Sequence, residues 1–190
     1  MRLPLPEVLA YAARYPEREE DAKVMDRTNR IRKERELHLA DLCAVCDWKS
    51  RRSARHARKN TEEEVVEISS FALRATSEKA RIEALQLLRG VSYPTASAIL
   101  HLYHAGPYPI LDFRVIWTLG LEQPPSYDFK YWTRFVDMWR RALVACWRLH
   151  PALSARDFDR ALWQYSKENQ GRLTESGKGM LRKSSPPEPR

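Results

Sequence analysis

Between Ser126 and Leu149 the apolar residues Tyr131, Phe135, Trp139, Leu143 and Trp147 recur at every fourth position, a spacing that gathers side chains on one face of an α-helix. A stripe that long needs apolar partners, and the rest of the chain supplies them with the same period. Leu39, Leu42, Cys43 and Cys46 mark a core helix over residues 37–50. Thr61 and Glu64 form the reciprocal pattern that caps a helix start, with Val65, Ile68 and Ala72 facing inward behind it. Ser77 and Glu78 open another helix, whose stripe is Ile82, Leu85 and Leu88 and which Gly90 stops. Pro94 suits the first turn of the next helix, where its missing amide is tolerated, and Ala96, Ile99, Leu100 and Tyr103 give that helix its buried face. Tyr108-Pro109 is held extended, Asp112 caps a short helix ending at Leu119-Gly120, and Ser154 with Asp157 starts a last one carrying Phe158, Ala161, Leu162 and Tyr165. The reading is all-α.

Only 6 glycines among 190 residues argue against a turn-rich β architecture, and 43% hydrophobic residues suffice for a core. No stretch approaches the length of a membrane span and no apolar signal region opens the chain, so the expectation is a cytoplasmic protein without membrane contact, monomeric. Cys43, Cys46 and Cys146 cannot all pair with one another. Either they are buried thiols or Cys43 and Cys46 contribute to a metal site, and no second such pair stands elsewhere to complete one. His101 and His104, one turn apart, read as facing solvent or DNA.

The chain divides into polar N-terminal helices over 1–36, a helical core over 37–121 with a helix-hairpin-helix pattern at 80–104, C-terminal helices over 122–167, and a disordered basic tail over 168–190. The mixed-charge run from Arg18 to Glu36 reads as a solvated outer helix or lobe. The formal charge is +8; the residues from Lys167 onward account for +3 of it, and the remaining field favours a polyanion such as nucleic acid. Trp48, Lys49, Ser50, Arg51, Arg52, Arg55, Arg58 and Lys59 place a basic stripe at helical spacing after the first core helix. It either neutralises phosphates of DNA, or of RNA, or is a solvated face, and Trp48 either stacks on a base or belongs to the core.

The segment from Leu88 to Leu100, followed by Tyr108-Pro109-Ile110-Leu111-Asp112, resembles the helix-hairpin-helix superfamily of base-excision DNA glycosylases (HhH-GPD) in the order and spacing of its motif. The resemblance is specific over about residues 80–120. It implies a helical domain, possible as two lobes with a cleft between them, whose hairpin at Gly90, Val91, Ser92, Tyr93 and Thr95 grips a DNA phosphate without reading sequence. It implies that Asp112 stabilises positive charge at the anomeric carbon of a flipped-out nucleotide while water displaces the base. By spacing alone, Asp112 is equally a helix cap. Members that also cleave the strand carry a lysine where this chain has Pro94, so the expectation is a monofunctional glycosylase. No cofactor is implied beyond a monovalent cation on the hairpin carbonyls, and Ser92 in place of the second glycine departs from that pattern; the iron-sulfur loop of many relatives is missing too. Tyr103, Tyr108 and Trp117 are the expected lining of a base pocket. The alternative is a catalytically silent module that keeps the hairpin grip alone.

Overall fold

The computed structural model describes residues 1–171, and they are all-helical. The expected tail lies almost wholly outside these residues. In chain order the helices are α1 (Val8–Ala13), α2 (Glu19–Met25), α3 (Thr28–Glu34), α4 (Leu39–Lys49), α5 (Arg51–Ala57), α6 (Glu62–Arg74), α7 (Glu78–Ala84), α8 (Tyr93–Tyr103), α9 (Phe113–Leu119), α10 (Phe129–Trp147) and α11 (Ala155–Asn169). Short 3₁₀ turns occupy Leu5–Glu7 and Leu85–Leu87. No helix among the described residues is long and apolar enough to cross a membrane.

Most helix starts stand where their capping residues predict. The Thr61 hydroxyl accepts the Glu64 amide at 3.2 Å while the Glu64 carboxylate accepts the Thr61 amide at 2.8 Å, so two otherwise orphaned donors are satisfied together. Ser77, Asp112 and Ser154 cap α7, α9 and α11 with their side chains. The longest helix begins later than expected, capped by Asp128 rather than starting near Ser126. Its buried face also differs from the every-fourth series. Each step of four residues turns about 40° past a full revolution, so the four steps from Tyr131 to Trp147 drift by about 160° and the series cannot share one face. Trp132, Phe135, Val136, Trp139, Leu143 and Cys146 are buried, while Trp147 at the end of the series is 37% exposed.

The helix predicted to run through Leu88 instead tightens into the 3₁₀ turn after Ala84, which leaves Leu87 exposed and turns Leu88 into the core. Helix α8 is the centre of the fold, with every residue from Thr95 to Tyr103 buried. Around it the buried apolar residues form one cluster running from Leu3 to Leu162, to which the segments 1–36, 37–121 and 122–167 all contribute. The first and last helices meet: α1 packs along α11, with the Tyr11 and Tyr165 rings edge to face at 5.0 Å and Arg14 bonded to Glu168 through two 3.1 Å contacts.

The mixed-charge run is not the plain outer helix its composition suggests. Val24 and Ile31 are core residues, and Asp21 and Asp41 are buried carboxylates held by arginines. Asp21, Arg27 and Arg30 thus serve internal ion pairs, in which removing one partner would leave a buried charge uncompensated, while Glu19, Glu20, Lys23, Lys33 and Glu34 form the solvated face.

Candidate functional site

Asp112 stands at the N-cap of α9, where its Oδ1 accepts the Arg114 amide at 3.0 Å. Its Oδ2 receives the Lys49 ammonium at 2.9 Å, and the two side chains are only 20% and 14% exposed. Burial alone would raise the Asp112 carboxyl, but the Lys49 charge and hydrogen bond, helped by the Arg114 amide, hold it below the usual carboxylate range. The pair lies in the wall of a cavity of about 450 Å³. Lys49 reaches it as the last residue of α4, and Asp112 as the end of the extended strand of chain after Pro109.

A second carboxylate lines the same cavity. Asp159 on α11 is 4% exposed, its Oδ1 accepts the Ile110 amide at 3.1 Å, and burial pushes its carboxyl up to about 7 against the opposing pull of Arg156, that amide and Lys49. The two acids of one cavity are thus pushed in opposite directions from the usual carboxylate range, Asp112 toward the anion and Asp159 toward the protonated form. The remaining wall is built of aromatic rings under guanidinium groups: Arg114 lies 5.1 Å above Trp163, and Arg156 lies 5.3 Å above Trp48 and 5.8 Å above Tyr15. Asp21 ties this wall together, accepting both the Trp48 indole N–H at 3.0 Å and the Arg156 guanidinium at 2.8 Å.

A groove of about 610 Å³ adjoins the first cavity and is walled by the hairpin and α5. Gly90 adopts φ +84°, which a residue with a side chain rarely tolerates, and a Cβ there would sit 2.7 Å from the Ser53 carbonyl oxygen and 2.8 Å from the Ala57 amide nitrogen. The hairpin therefore lies backbone to backbone against the basic helix. Asn60 fixes the contact, donating to the Ala57 and Arg89 carbonyls at 2.7 and 3.0 Å and accepting the Arg89 amide at 2.8 Å. Ser92 is exposed and makes no side-chain cap bond to α8, and Ser92, Pro94 and Thr95 at that helix start line the groove.

Of the residues singled out around Gly90, Val91, Tyr93 and Thr95 are buried, and the Tyr93 hydroxyl donates to Glu83 at 3.2 Å. Arg52, Arg55 and Lys59 are exposed along α5 and the turn after it, as the basic stripe requires, and the Arg51 side chain lies outside those described. Arg58 departs from the expectation, since Asp47 holds its guanidinium at 2.7 Å. Ser50 is the extended elbow between α4 and α5. Trp48 is 9% exposed and forms pocket wall instead of an outward stacking platform.

No family model, curated protein or solved structure matches the chain. The site rests on its own geometry.

That geometry corrects the expected pocket lining. Tyr103 is buried, donating its hydroxyl to the Val24 carbonyl at 3.2 Å, and Tyr108 is buried against Trp132, with its hydroxyl donating to Glu78 at 2.8 Å. Trp117 stacks on Tyr165 at 6.1 Å beneath Arg2. None of the three lines the cavity beside Asp112. All three lie within ten residues of Asp112 in sequence, whereas much of the lining comes from distant segments, Tyr15 and Trp163 among them. His101 is likewise not solvent-facing: it is buried, its Nδ1 is 2.6 Å from the Tyr108 carbonyl oxygen, and burial together with the Arg156 charge pushes it down to about 3. Cys43, Cys46 and Cys146 are free thiols, with Cys46 raised to about 12 by burial. Among the described residues no three His, Cys, Asp or Glu side chains converge as a metal site.

Proposed function

We propose that the chain is a base-excision DNA glycosylase of the helix-hairpin-helix type. The supporting observation is that the two cavities share Lys49 as a wall residue: the Asp112 carboxylate, held below the usual carboxylate range, lies in a cavity of about 450 Å³ beside a groove that exposed arginines line. The groove takes the phosphates, through the start of α8 and through Arg52, Arg55 and Lys59, and binding there is independent of sequence. A nucleotide turned out of the duplex puts its base among Trp48, Phe113 and Trp163, and Asp112 faces the sugar. As the glycosidic bond lengthens, the Asp112 carboxylate stabilises the oxocarbenium charge, and water replaces the base. Because Pro94 stands where an amine would be needed, base release is hydrolytic, as in a monofunctional enzyme.

A second reading draws on the Lys49–Asp112 pair. A carboxylate already matched by an ammonium and an amide is fully satisfied as a structural cap, and the chain is then a silent DNA-binding module. One assay separates the two. Duplexes carrying uracil, hypoxanthine, oxidised guanine, alkylated adenine or a mismatch are incubated with wild type and Asp112→Asn, and released free base is measured alongside abasic sites. Release of one base by wild type, lost in Asp112→Asn, is the expected outcome. Salt-dependent binding by both proteins without release of any base leaves the silent module.

A further inference from the structure

The end of α8 forms part of a cavity of about 280 Å³ whose wall contains neither Asp112 nor any hairpin residue. The last residue of α10 and the first turn of α11 supply other parts of that wall. His101 belongs to it and is only 9% exposed. A carbonyl oxygen can only accept, so the 2.6 Å contact to Tyr108 makes Nδ1 the donor of the ring. Burial keeps the imidazole neutral near pH 7, and Nε2 is then a bare lone pair. No described residue bonds Nε2, yet it is not among the buried atoms sealed off without a partner, so it opens onto the cavity. An acceptor held almost wholly out of water, in one fixed tautomer, calls for a donor from whatever enters.

The rest of the wall calls for the opposite kind of group. Ser154, Ala155 and Arg156 open α11, and the first amides of a helix have no acceptor within it. The Ser154 hydroxyl takes the Asp157 amide at 3.0 Å, which leaves the Ala155 and Arg156 amides without a bond among the described residues. Arg32 comes from α3, donates to the Leu102 carbonyl at 3.1 Å, and pairs with no carboxylate among the described residues. No Asp or Glu among the described residues lines this cavity, so its potential is positive. Met25 and Trp147, 41% and 37% exposed, add apolar surface at the same place.

We propose that this cavity is a binding site for a small organic acid that also carries a hydroxyl or N–H donor. The anionic group lies against the start of α11 and Arg32, the donor meets His101 Nε2, and the apolar body covers Met25 and Trp147. An amine cation is disfavoured, because two guanidinium groups stand in the wall and no carboxylate answers it. The volume falls just short of the roughly 300–1,000 Å³ of drug-sized sites, which limits the molecule to a single ring or a short chain. The site stands whether or not the DNA reading is kept, since it uses neither the Asp112 pocket nor the groove.

The test follows backbone and indole resonances of the full nitrogen-labelled chain during titration with ortho-, meta- and para-hydroxybenzoate, three isomers that vary the separation of carboxylate and hydroxyl. At least one is expected to bind with a dissociation constant of about 1 mM or lower, moving Leu102, Ala155 and the Trp147 indole rather than Gly90 or Asp112. Benzoate keeps the charge and lacks the donor, while the matching hydroxybenzyl alcohol keeps the donor and lacks the charge. Each is expected to bind about tenfold more weakly, and neither comparison needs a variant. His101→Phe is expected to abolish the preference for the hydroxyl. Arg32→Gln, at an exposed position, is expected to weaken binding about tenfold and keep that preference. No movement with any isomer at about 10 mM, benzoate binding as well as the best isomer, or shifts confined to the surroundings of Asp112 or Gly90 overturns the proposal. A folded His101→Phe that still prefers the hydroxyl overturns it too.

Discussion

The pocket around Asp112 and the groove beside Gly90 adjoin each other, yet they are charged in opposite styles. In the pocket every carboxylate has a fixed partner: Asp112 has Lys49, Asp159 has the Ile110 amide, and Asp21 behind the wall has Trp48 and Arg156. In the groove Arg52 and Arg55 reach into water from a short helix. Charges held in fixed geometry and mostly out of water act strongly on a reacting centre, because no solvent has to reorganise around them. Exposed charges act by displacing counterions, so their effect is spread out and sensitive to salt. On the proposed reading, the pocket takes one position in a substrate and the groove any stretch of backbone.

The sharpest way to break that contrast is Asp112→Asn. Single-turnover base release is expected to fall about 10³-fold while the dissociation constant for duplex changes by less than about threefold; a parallel loss of binding would merge the two regions into one. Next in size is Gly90→Ala. The added Cβ meets backbone on two sides at a positive φ, so the denaturation midpoint should drop by the equivalent of about 3 kcal/mol with an unchanged denaturant slope. An equal stability would mean that the hairpin does not lie against α5 as described.

Asp159 offers a third test, through pH. Its carboxyl is raised above its unfolded value, so the folded chain holds a proton that the unfolded chain releases from about pH 4 upward. Its contribution is therefore complete at low pH and is lost as pH rises toward 7, and the melting temperature of wild type relative to Asp159→Asn should decline across that interval. A flat difference would show that the carboxylate ionises without penalty and leave the pocket with two anions. The smallest effect belongs to the groove. Arg52→Gln and Arg55→Gln should each lower the slope of log binding constant against log salt by about 1, equally for unrelated sequences, measured by titration at several salt concentrations. A sequence-dependent change would make the groove a reader rather than a grip.

The parts legible in the sequence are those governed by neighbours. Thr61, Ser77, Asp112 and Ser154 announce helix starts because a cap needs only the next turn, and Gly90 and Pro94 announce the turn for the same reason. The pocket was less legible, since Tyr15, Arg156, Asp159 and Trp163 arrive from chain segments about a hundred residues away from Lys49 or Asp112, or from the opposite end. Local spacing carries no record of such meetings. One signal was present: Asp159 shares a helix face with Leu162 and Ser166, three and seven residues on, and a carboxylate on a buried face requires a reason. Asn60 gave a weaker one. It reads as the residue before a helix cap, and its work as a clamp on the hairpin appears only when Arg89 is beside it.

The meeting of α1 with α11 has a consequence for how the molecule comes into being. The groove is assembled from elements that follow one another closely, α5 and the turn into α8, whereas the pocket waits for the first and last helices to find each other. Contacts of such wide sequence separation are slow to form, because the loop must close before any contact rewards it. Local assembly of the groove is therefore expected to precede completion of the pocket, whose wall lacks Tyr15 and Trp163 until α1 and α11 have docked.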